Sequence, residues 1–369
     1  MATKTQNRPD PVMLEYIFTD HFNVIRSKTK IVRKEINSID DLEPWYYFNF
    51  HKWGQTAGIE KSVLLDPVAI YPDPFRGGKH LLVLCQNLGM DKTPHYTNHR
   101  AKAVEIMNRA ADSEPQFGVE QEYMIFGREF APHEGTENGK PFLENKRIPY
   151  KWLAHNNPGG GPEAIYIHEV GGGKMYGRDL AEEHVRLCLK AGLKIDGMNP
   201  EATPSQWEYQ VGICDGIELG DHLTVSRWIL HRVSEKYEAH ISLKARPYKG
   251  PYFGSGLHTN FSTKQMREGA DGKTGLQFVE EGAELLCKKE NHDLHIPEYG
   301  DNTERLNGGC CVGDLDTSNW SRMDRDCSIR IPAPTVVDGK GYLEDRRPAA
   351  DADPYRIIAR IVQTVVLKE

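Results

Sequence analysis

The spacing of apolar positions changes along the chain and predicts two structural regions. From Met13 to about Asn87, short apolar runs such as Val12–Thr19 and residues 81–86 stand between glycine, proline and aspartate residues. Runs punctuated in this way are typical of strands separated by turns. The first region is therefore expected to be a small, mostly β domain.

Helical spacing begins near residue 97. Apolar residues between positions 97 and 111 recur at i, i+3, i+4 and i+7, which indicates one buried helix face and the start of a second domain. The same spacing predicts helices at residues 179–191, 221–237 and 355–367. Strands are expected at residues 117–126 and 206–211, and the glycine-rich residues 157–174 are expected to form a loop.

A chain of 369 residues exceeds the usual length of one domain. We expect an arm at residues 1–12, a small domain at 13–93 and a catalytic domain at 94–369.

The net charge of -7 gives no general reason to bind nucleic acid or an anionic membrane, so neither partner is expected. The polar first residues contain no apolar stretch of the kind found in signal peptides. Seven cysteines, an odd number without a C-x-x-C pair, favour a reducing cytoplasm.

Acidic residues occur in pairs that could hold cations. In F-G-V-E-Q-E-Y, Glu120 and Glu122 have strand spacing and project from one face. Two carboxylates so close repel each other unless a cation lies between them, and Mg²⁺ and Mn²⁺ prefer oxygen ligands. By itself such a pair is more often a solvated face. Other chemistry-bearing residues are Glu201 and Glu208 around P-S-Q-W, Glu344 in G-Y-L-E-D-R-R-P and His258 in G-S-G-L-H-T-N-F-S.

In their order along the chain and in their residues, these motifs resemble the shorter, eukaryotic type of glutamine synthetase from about residue 13 to residue 367. Further matching runs are M-Y-G-R-D-L, G-I-C-D-G-I-E-L-G-D-H-L, H-T-N-F-S-T-K-Q-M-R and D-R-D-C-S-I-R-I-P. The resemblance implies an α+β fold, with a β-grasp-like N-terminal domain and a catalytic domain built on a curved antiparallel sheet. It also implies a homodecamer whose active sites lie between neighbouring subunits.

The resemblance implies an ATP-dependent ligase with two or more divalent ions, Mg²⁺ or Mn²⁺. Glu122, Glu201 and Glu208 would hold one ion. Glu120, His258 and Glu344 would hold the other. The positions that match the nucleotide site are Asn260, Ser262, Arg267, Arg325, Arg330 and Tyr342.

For the carboxylic acid substrate, Arg305 matches the family residue that binds the α-carboxylate of glutamate. Arg346 matches the one that faces the γ-carboxyl group. With Arg325, these two are the expected catalytic arginines. Gly254 is also in place, but Phe253 stands where the family has an asparagine that reads the α-amino group. The acid is therefore expected to be glutamate or a close analogue.

The amine side departs most from the family. Cys310 and Cys311 stand where the family has histidine and the proton-accepting glutamate, and Asn49 stands at the position of a second acid. Ammonia is mostly ammonium at neutral pH and needs such carboxylates. The sequence therefore predicts an amine other than ammonia, with His51 or Asp314 as a substitute base. An authentic glutamine synthetase and a non-catalytic nucleotide-binding regulator remain as alternatives.

Overall fold

The computed structural model describes residues 10–48, 62–127, 136–137, 140–141, 166–172, 175–247, 253–307 and 313–369. Its strands are β1 (Val12–Thr19), β2 (Ile25–Val32), β3 (Trp45–Phe48), β4 (Ser62–Pro72), β5 (Leu81–Leu88), β6 (Gln116–Gly127), β7 (Thr136–Glu137), β8 (Lys140–Pro141), β9 (Ile195–Pro200), β10 (Gln206–Asp215), β11 (Ala239–Ser242), β12 (Leu257–Ser262), β13 (Trp320–Arg322), β14 (Ile329–Ile331) and β15 (Leu343–Asp345).

The α-helices are α1 (His99–Arg109), α2 (Arg178–Lys190), α3 (Glu218–Lys236), α4 (Lys264–Glu268), α5 (Gly275–Cys287), α6 (Lys289–His295), α7 (Ala333–Asp338) and α8 (Pro354–Val362). A π-helix at Gln363–Leu367 continues directly from α8. Asn49, His51, Cys310 and Cys311, residues 1–9 and most of the glycine-rich segment lie outside the described residues.

The first five strands form one sheet in the order β2-β1-β5-β4-β3, with β1 parallel to β5. Apolar side chains pack on both faces of this sheet, since successive side chains of a strand point to opposite faces. Leu14 and Tyr16 belong to a small apolar cluster on one face. Ile17 and Leu82 belong to the main core on the other. The small sheet is thus packed directly against the larger part of the protein.

A second sheet has the order β13-β14-β15-β12-β6-β10-β9, and β11 also pairs with β6. All its neighbouring pairs are antiparallel except β13 with β14. On the central strand β6, Val119 and Tyr123 enter the same apolar core as Leu180 of α2 and Leu223 of α3. The opposite face of β6 is left for the acidic residues.

The predicted α+β class is confirmed, and so are the predicted strands at β1, β5, β6 and β10 and the helices at α1, α2, α3 and α8. The observed bounds differ from the predicted ones by a few residues, which is the usual uncertainty of helix ends. Helices α4 to α7 were not predicted. For α5 a signal existed, because Thr274 and Gln277 form a capping box. The domain division at residue 93 stays a prediction.

Within the described residues, none of the helices combines the length and the apolar character needed to cross a bilayer.

A buried ion pair connects three helices around the core. Arg100 of α1 binds Asp221 of α3 through two hydrogen bonds of 2.8 Å each, and the Tyr355 hydroxyl of α8 donates to the same carboxylate at 2.8 Å. The side chains of Arg100 and Asp221 are 16% and 8% exposed. Removing one partner of such a pair leaves the other charge buried.

We therefore expect Arg100→Met to lower the free energy of unfolding by about 3 kcal/mol, because Asp221 would lose its counter-ion inside the protein. The measurement is denaturant unfolding followed by circular dichroism. Lys289→Ala is the control, since Lys289 pairs with Asp293 on the exposed side of α6 and should cost less than about 1 kcal/mol. Equal losses in the two variants would contradict the role of the buried pair.

Candidate active site

The pairing register of the large sheet places the acidic residues on one face. His258 of β12 lies directly opposite Glu120 of β6, and Glu208 of β10 lies opposite Glu122. Side chains that stand opposite each other on neighbouring strands point to the same face. Residues 120 and 122 have strand spacing, so all four share the face that the core does not cover.

The remaining two acids join this group from neighbouring segments. Glu344 of β15 lies opposite Asn260 of β12, two residues from His258. Glu201 comes directly after β9, and the Ala202 N–H donates to its carboxylate at 3.0 Å. Because Asn260 shares the face of His258, Glu344 also points toward the acids.

Two groups of three metal-ligating side chains result. Glu120, His258 and Glu344 form one group, and Glu122, Glu201 and Glu208 form the other, with ligand atoms inside each group within 4.8 Å of one another. His258 Nδ1 lies 3.3 Å from Glu120 Oε2 and 3.5 Å from Glu344 Oε1. Its Nε2 lies 3.9 Å from Glu122 Oε1, which connects the two groups. These are the two ligand sets that the resemblance implied.

The electrostatics of this face suit divalent cations. Burial, followed by the charges of Glu120 and Glu122, raises the pKa of Glu208 to about 9. Burial and the charge of Glu201 raise the pKa of Glu122 to about 8. Burial holds the pKa of His258 well below its usual range, so its imidazole is neutral and has a lone pair to offer. Carboxylate oxygens with one imidazole fit Mg²⁺ or Mn²⁺.

Two of the predicted arginines bind the same acid. Arg346 Nη1 donates to Glu344 Oε1 at 2.8 Å, and Arg330 Nε donates to the other oxygen of that carboxylate. Arg325 is exposed in the segment before β14. Its charge opposes the rise that burial causes in the pKa of Glu201, so it also acts on the acidic face.

The residues predicted for the nucleotide site follow β12 and the start of β15. Asn260 donates to Glu120 Oε1 at 3.1 Å. Arg267 Nη1 donates to Ser262 Oγ at 3.0 Å at the end of the same strand. Burial, then the charges of Glu120 and Glu344, raise the pKa of Tyr342 just before β15. Asn260 and Tyr342 thus lie beside the group of Glu120, His258 and Glu344.

On the other side of His258, a tight backbone segment contacts Arg305. A Cβ atom at Gly254 would lie 2.6 Å from the Ala245 carbonyl oxygen and 3.1 Å from Arg305 Cγ, which excludes a side chain there. Arg305 Nη2 lies 3.4 Å from His258 Nε2. Phe253, 38% exposed, precedes this segment. The structure therefore brings the predicted acid-binding residues beside the predicted metal ligands.

Arg305 differs from Arg330, Arg346 and Arg347 because, within the described residues, it forms no ion pair with an acid. It is 3% exposed. Its guanidinium donates to the Asn302 side-chain oxygen at 3.3 Å and to the carbonyl oxygens of Arg347 and Arg346 at 3.2 and 2.9 Å. No carboxylate of the described residues forms an ion pair with it. Burial lowers its pKa to about 10. A buried cation of this kind favours an anionic ligand, because an unpaired charge is costly inside a protein.

Sequence reasoning missed Gln206, a buried amide that joins the two halves of the site. Its Nε2 donates to Glu122 Oε2 at 3.3 Å and to the Gly254 carbonyl at 2.9 Å. The available signal was its place between Glu201 and Glu208 in P-S-Q-W. Amides that hold a metal-binding carboxylate in this way fix its orientation.

Two of the predicted substrate residues, Asn49 and Cys311, lie outside the described residues. The amine side of the site therefore rests on the sequence.

Comparisons with known proteins agree with this arrangement. A family described as "Glutamine synthetase, catalytic domain" matches residues 97–272. The chain is 42% identical over 355 residues to a glutamine synthetase of Tuber borchii, covering 96% of this chain and 92% of that protein. It is 43% identical over 355 residues to one of Emericella nidulans, with the same coverage. It is 40% identical over 359 residues to one of Agaricus bisporus, covering 97% of this chain and 94% of that protein.

We expect Mn²⁺ or Mg²⁺ to raise the melting temperature, and to raise it more at pH 8 than at pH 6.5. Glu122 and Glu208 keep protons in the folded state that the unfolded chain loses above its ordinary pKa of 4.5, and metal binding must release them. Metal affinity therefore increases as pH rises through this window. An ion at 100 times its dissociation constant stabilises by about 2.7 kcal/mol. Differential scanning calorimetry measures the effect.

Glu208→Gln should reduce both the metal-induced stabilisation and its pH dependence. The exposed Glu35→Gln variant should behave as the parent protein does. Sodium chloride at matched ionic strength controls for general screening. Equal stabilisation of the Glu208 variant and the parent would contradict the assignment of this acid as a ligand.

Proposed function

The chain belongs to the glutamine synthetase family, and we propose that it catalyses the ATP-dependent amidation of the γ-carboxyl group of glutamate with ammonia. The family consists of ligases that form C–N bonds and use ATP with Mg²⁺ or Mn²⁺. One observation carries the proposal. Arg305, a buried cation that forms no ion pair within the described part of the chain, lies beside two groups of divalent-metal donors on a single sheet face. This is the arrangement needed to hold a carboxylic acid next to a metal-bound triphosphate.

Each side chain has a role in the proposed reaction. Glu122, Glu201 and Glu208 would hold one divalent ion, and Glu120, His258 and Glu344 would hold a second. When bound, these ions supply positive charge that neutralises the triphosphate during phosphoryl transfer. Gln206 and the Gly256 N–H hold Glu122 Oε2 by hydrogen bonds, which leaves Oε1 toward His258.

The arginines divide between the phosphate and the acid. Arg325 and Arg330 would contact the phosphates, since their forked donors match phosphate oxygens. Arg305 would bind the α-carboxylate. Arg346 would face the γ-carboxyl group, and its Nη1 is oriented by Glu344.

Asn260, Ser262, Arg267 and Tyr342 would complete the nucleotide site. Asn260 and Tyr342 border Glu120, and Arg267 is tied to Ser262 at the end of β12. For Asn260 and Tyr342, the neighbouring Glu120 of the proposed metal site supports this assignment.

The proposed chemistry has two steps. A γ-carboxylate oxygen of glutamate attacks the γ-phosphorus of ATP, and ADP leaves with the bond electrons. The resulting acyl phosphate is attacked by the nitrogen of neutral ammonia. A C–N bond forms, the C–O bond to the phosphoryl group breaks, phosphate leaves with that electron pair, and the nitrogen gives one proton to water. Positioning and charge stabilisation by the arginines and the metal ligands account for most of the catalysis expected in such transfers.

A second candidate is a ligase for an organic amine. It is favoured by Cys310 and Cys311, which stand where the family has histidine and glutamate, and by Asn49 at the position of a second acid. Without those charges the site has less attraction for ammonium, whereas a less basic amine is neutral at pH 7. The names and the near-complete coverage of the relatives favour ammonia. They also favour an enzyme over a non-catalytic nucleotide-binding regulator.

We further propose a homodecamer with active sites shared between subunits, a catalytic domain spanning residues 94–369, and a cytoplasmic location. These proposals rest on the family resemblance and on the cysteine pattern.

Phosphate release measured over a matrix of amino acids and amines separates the candidates. For a glutamine synthetase, glutamate with ammonium should give phosphate and glutamine as fast as glutamate with any organic amine. Mass spectrometry identifies the product. Faster turnover with an organic amine would establish the second candidate, and ATP binding without turnover in any combination would contradict both.

Cys311→Glu should lower the KM for ammonium by about tenfold, because a carboxylate both attracts the cation and accepts its proton. Cys311→Ser is the matched control and should leave that KM unchanged. An unchanged KM for ammonium in the glutamate variant would contradict the placement of residue 311 in the amine site.

A further inference from the structure

We propose that Asn302 is a positioning residue that holds Arg305 in place for the acid substrate while leaving its positive charge unneutralised. The inference rests on the proposed function, because it assigns Asn302 through the acid-binding role of Arg305. Asn302 is 2% exposed. The sequence motifs did not single it out.

The amide of Asn302 and the guanidinium of Arg305 form a closed ring of hydrogen bonds. Arg305 Nη1 donates to Asn302 Oδ1 at 3.3 Å and to the Arg347 carbonyl at 3.2 Å. Asn302 Nδ2 donates to the same Arg347 carbonyl at 2.9 Å and to the Tyr299 carbonyl at 3.0 Å. The Asn302 carbonyl also accepts the Arg305 N–H at 3.0 Å. One residue thus orients both the backbone and the side chain of Arg305.

The carbonyl that closes this ring is itself firmly anchored. Arg347 and Asp345 form an ion pair with a 2.7 Å contact, and both side chains are 0% exposed. Arg347 Nη1 also donates to the Leu286 carbonyl and to Ser318 Oγ, each at 3.1 Å. Neighbouring residues along this segment alternate, so Glu344 and Arg346 face the acidic site while Asp345 and Arg347 face the core. The frame that holds Arg305 is therefore rigid.

The absence of a negative charge at residue 302 matters as much as the hydrogen bonds that its side chain forms. Within the described residues, the Arg305 guanidinium donates hydrogen bonds to three uncharged carbonyl oxygens, those of Asn302, Arg347 and Arg346. An acid is present next to Asn302 in the sequence, but Asp301 is exposed and accepts from the Thr303 N–H and hydroxyl at 3.2 and 2.7 Å. A carboxylate at position 302 would pair with Arg305 and compete with the substrate carboxylate.

The test compares Asn302→Asp and Asn302→Ser with the parent enzyme. Asn302→Asp should raise the KM for glutamate by about 10- to 100-fold, which corresponds to losing one hydrogen-bonded charge interaction. The KM for ATP should change by less than about twofold. Asn302→Ser keeps a neutral oxygen and should raise the glutamate KM less than Asn302→Asp does. Calorimetric titration with glutamate gives the same ranking without turnover.

Asn87→Asp is the matched control for the loss of a buried amide. Asn87 is 4% exposed in the small sheet, and its Nδ2 donates to the Thr19 carbonyl at 2.7 Å and to the Thr97 hydroxyl at 3.0 Å. The same chemical change there should lower the melting temperature without altering the glutamate KM. If Asn302 had a purely structural role, Asn302→Asp and Asn87→Asp would both lower the melting temperature and leave the glutamate KM unchanged.

Arg305→Gln separates this inference from the function on which it rests. If Arg305→Gln raises the glutamate KM and Asn302→Asp does not, the role of Asn302 is overturned and the proposed function stands. If Arg305→Gln leaves the glutamate KM unchanged, Arg305 does not bind the acid, and both are overturned. If Asn302→Asp does not fold, Asn302→Ser decides the question, because an unchanged glutamate KM in that variant overturns the inference.

Discussion

Mutual repulsion among carboxylates is the constraint on which this structure depends. Five glutamates converge on one face of the large sheet, around a single neutral imidazole. Such a group is stable only where positive charge or protons offset the repulsion. The raised pKa values of Glu122 and Glu208 and the ion pairs of Glu344 are two ways in which the chain meets this requirement. Divalent cations, which the family uses, are a third.

The arginines near the site differ in their hydrogen-bond partners. Arg330 and Arg346 share Glu344, and Arg347 is paired with Asp345 in the core. Arg305 alone among these four is surrounded by carbonyl oxygens and an imidazole. Three of these guanidinium groups are thus oriented by carboxylates, and Arg305 forms no ion pair within the described residues.

The two sides of the proposed site agree with the family resemblance to different degrees. The proposed phosphate and acid side carries every residue that the family resemblance implies, except that Phe253 stands in place of an asparagine. The structure brings the six metal-type residues together with Arg305, Arg330 and Arg346. On the proposed amine side, Asn49 and Cys311 stand where the family resemblance implies acids. Since activation of the acid and attack by the amine are separate steps, the first half of the site can be retained while the second changes.

From spacing alone, the sequence predicted the principal strands and helices, and its resemblance to a known family implied the α+β class and the six metal-type residues. Glu120 and Glu122 could be placed on one face from their spacing alone. Neither the spacing nor the resemblance showed that Arg305 forms no ion pair within the described residues, or that Gln206 and Asn302 orient the side chains around them. Those features arise where segments distant along the chain meet, and only the packing of the folded sheet sets such distances.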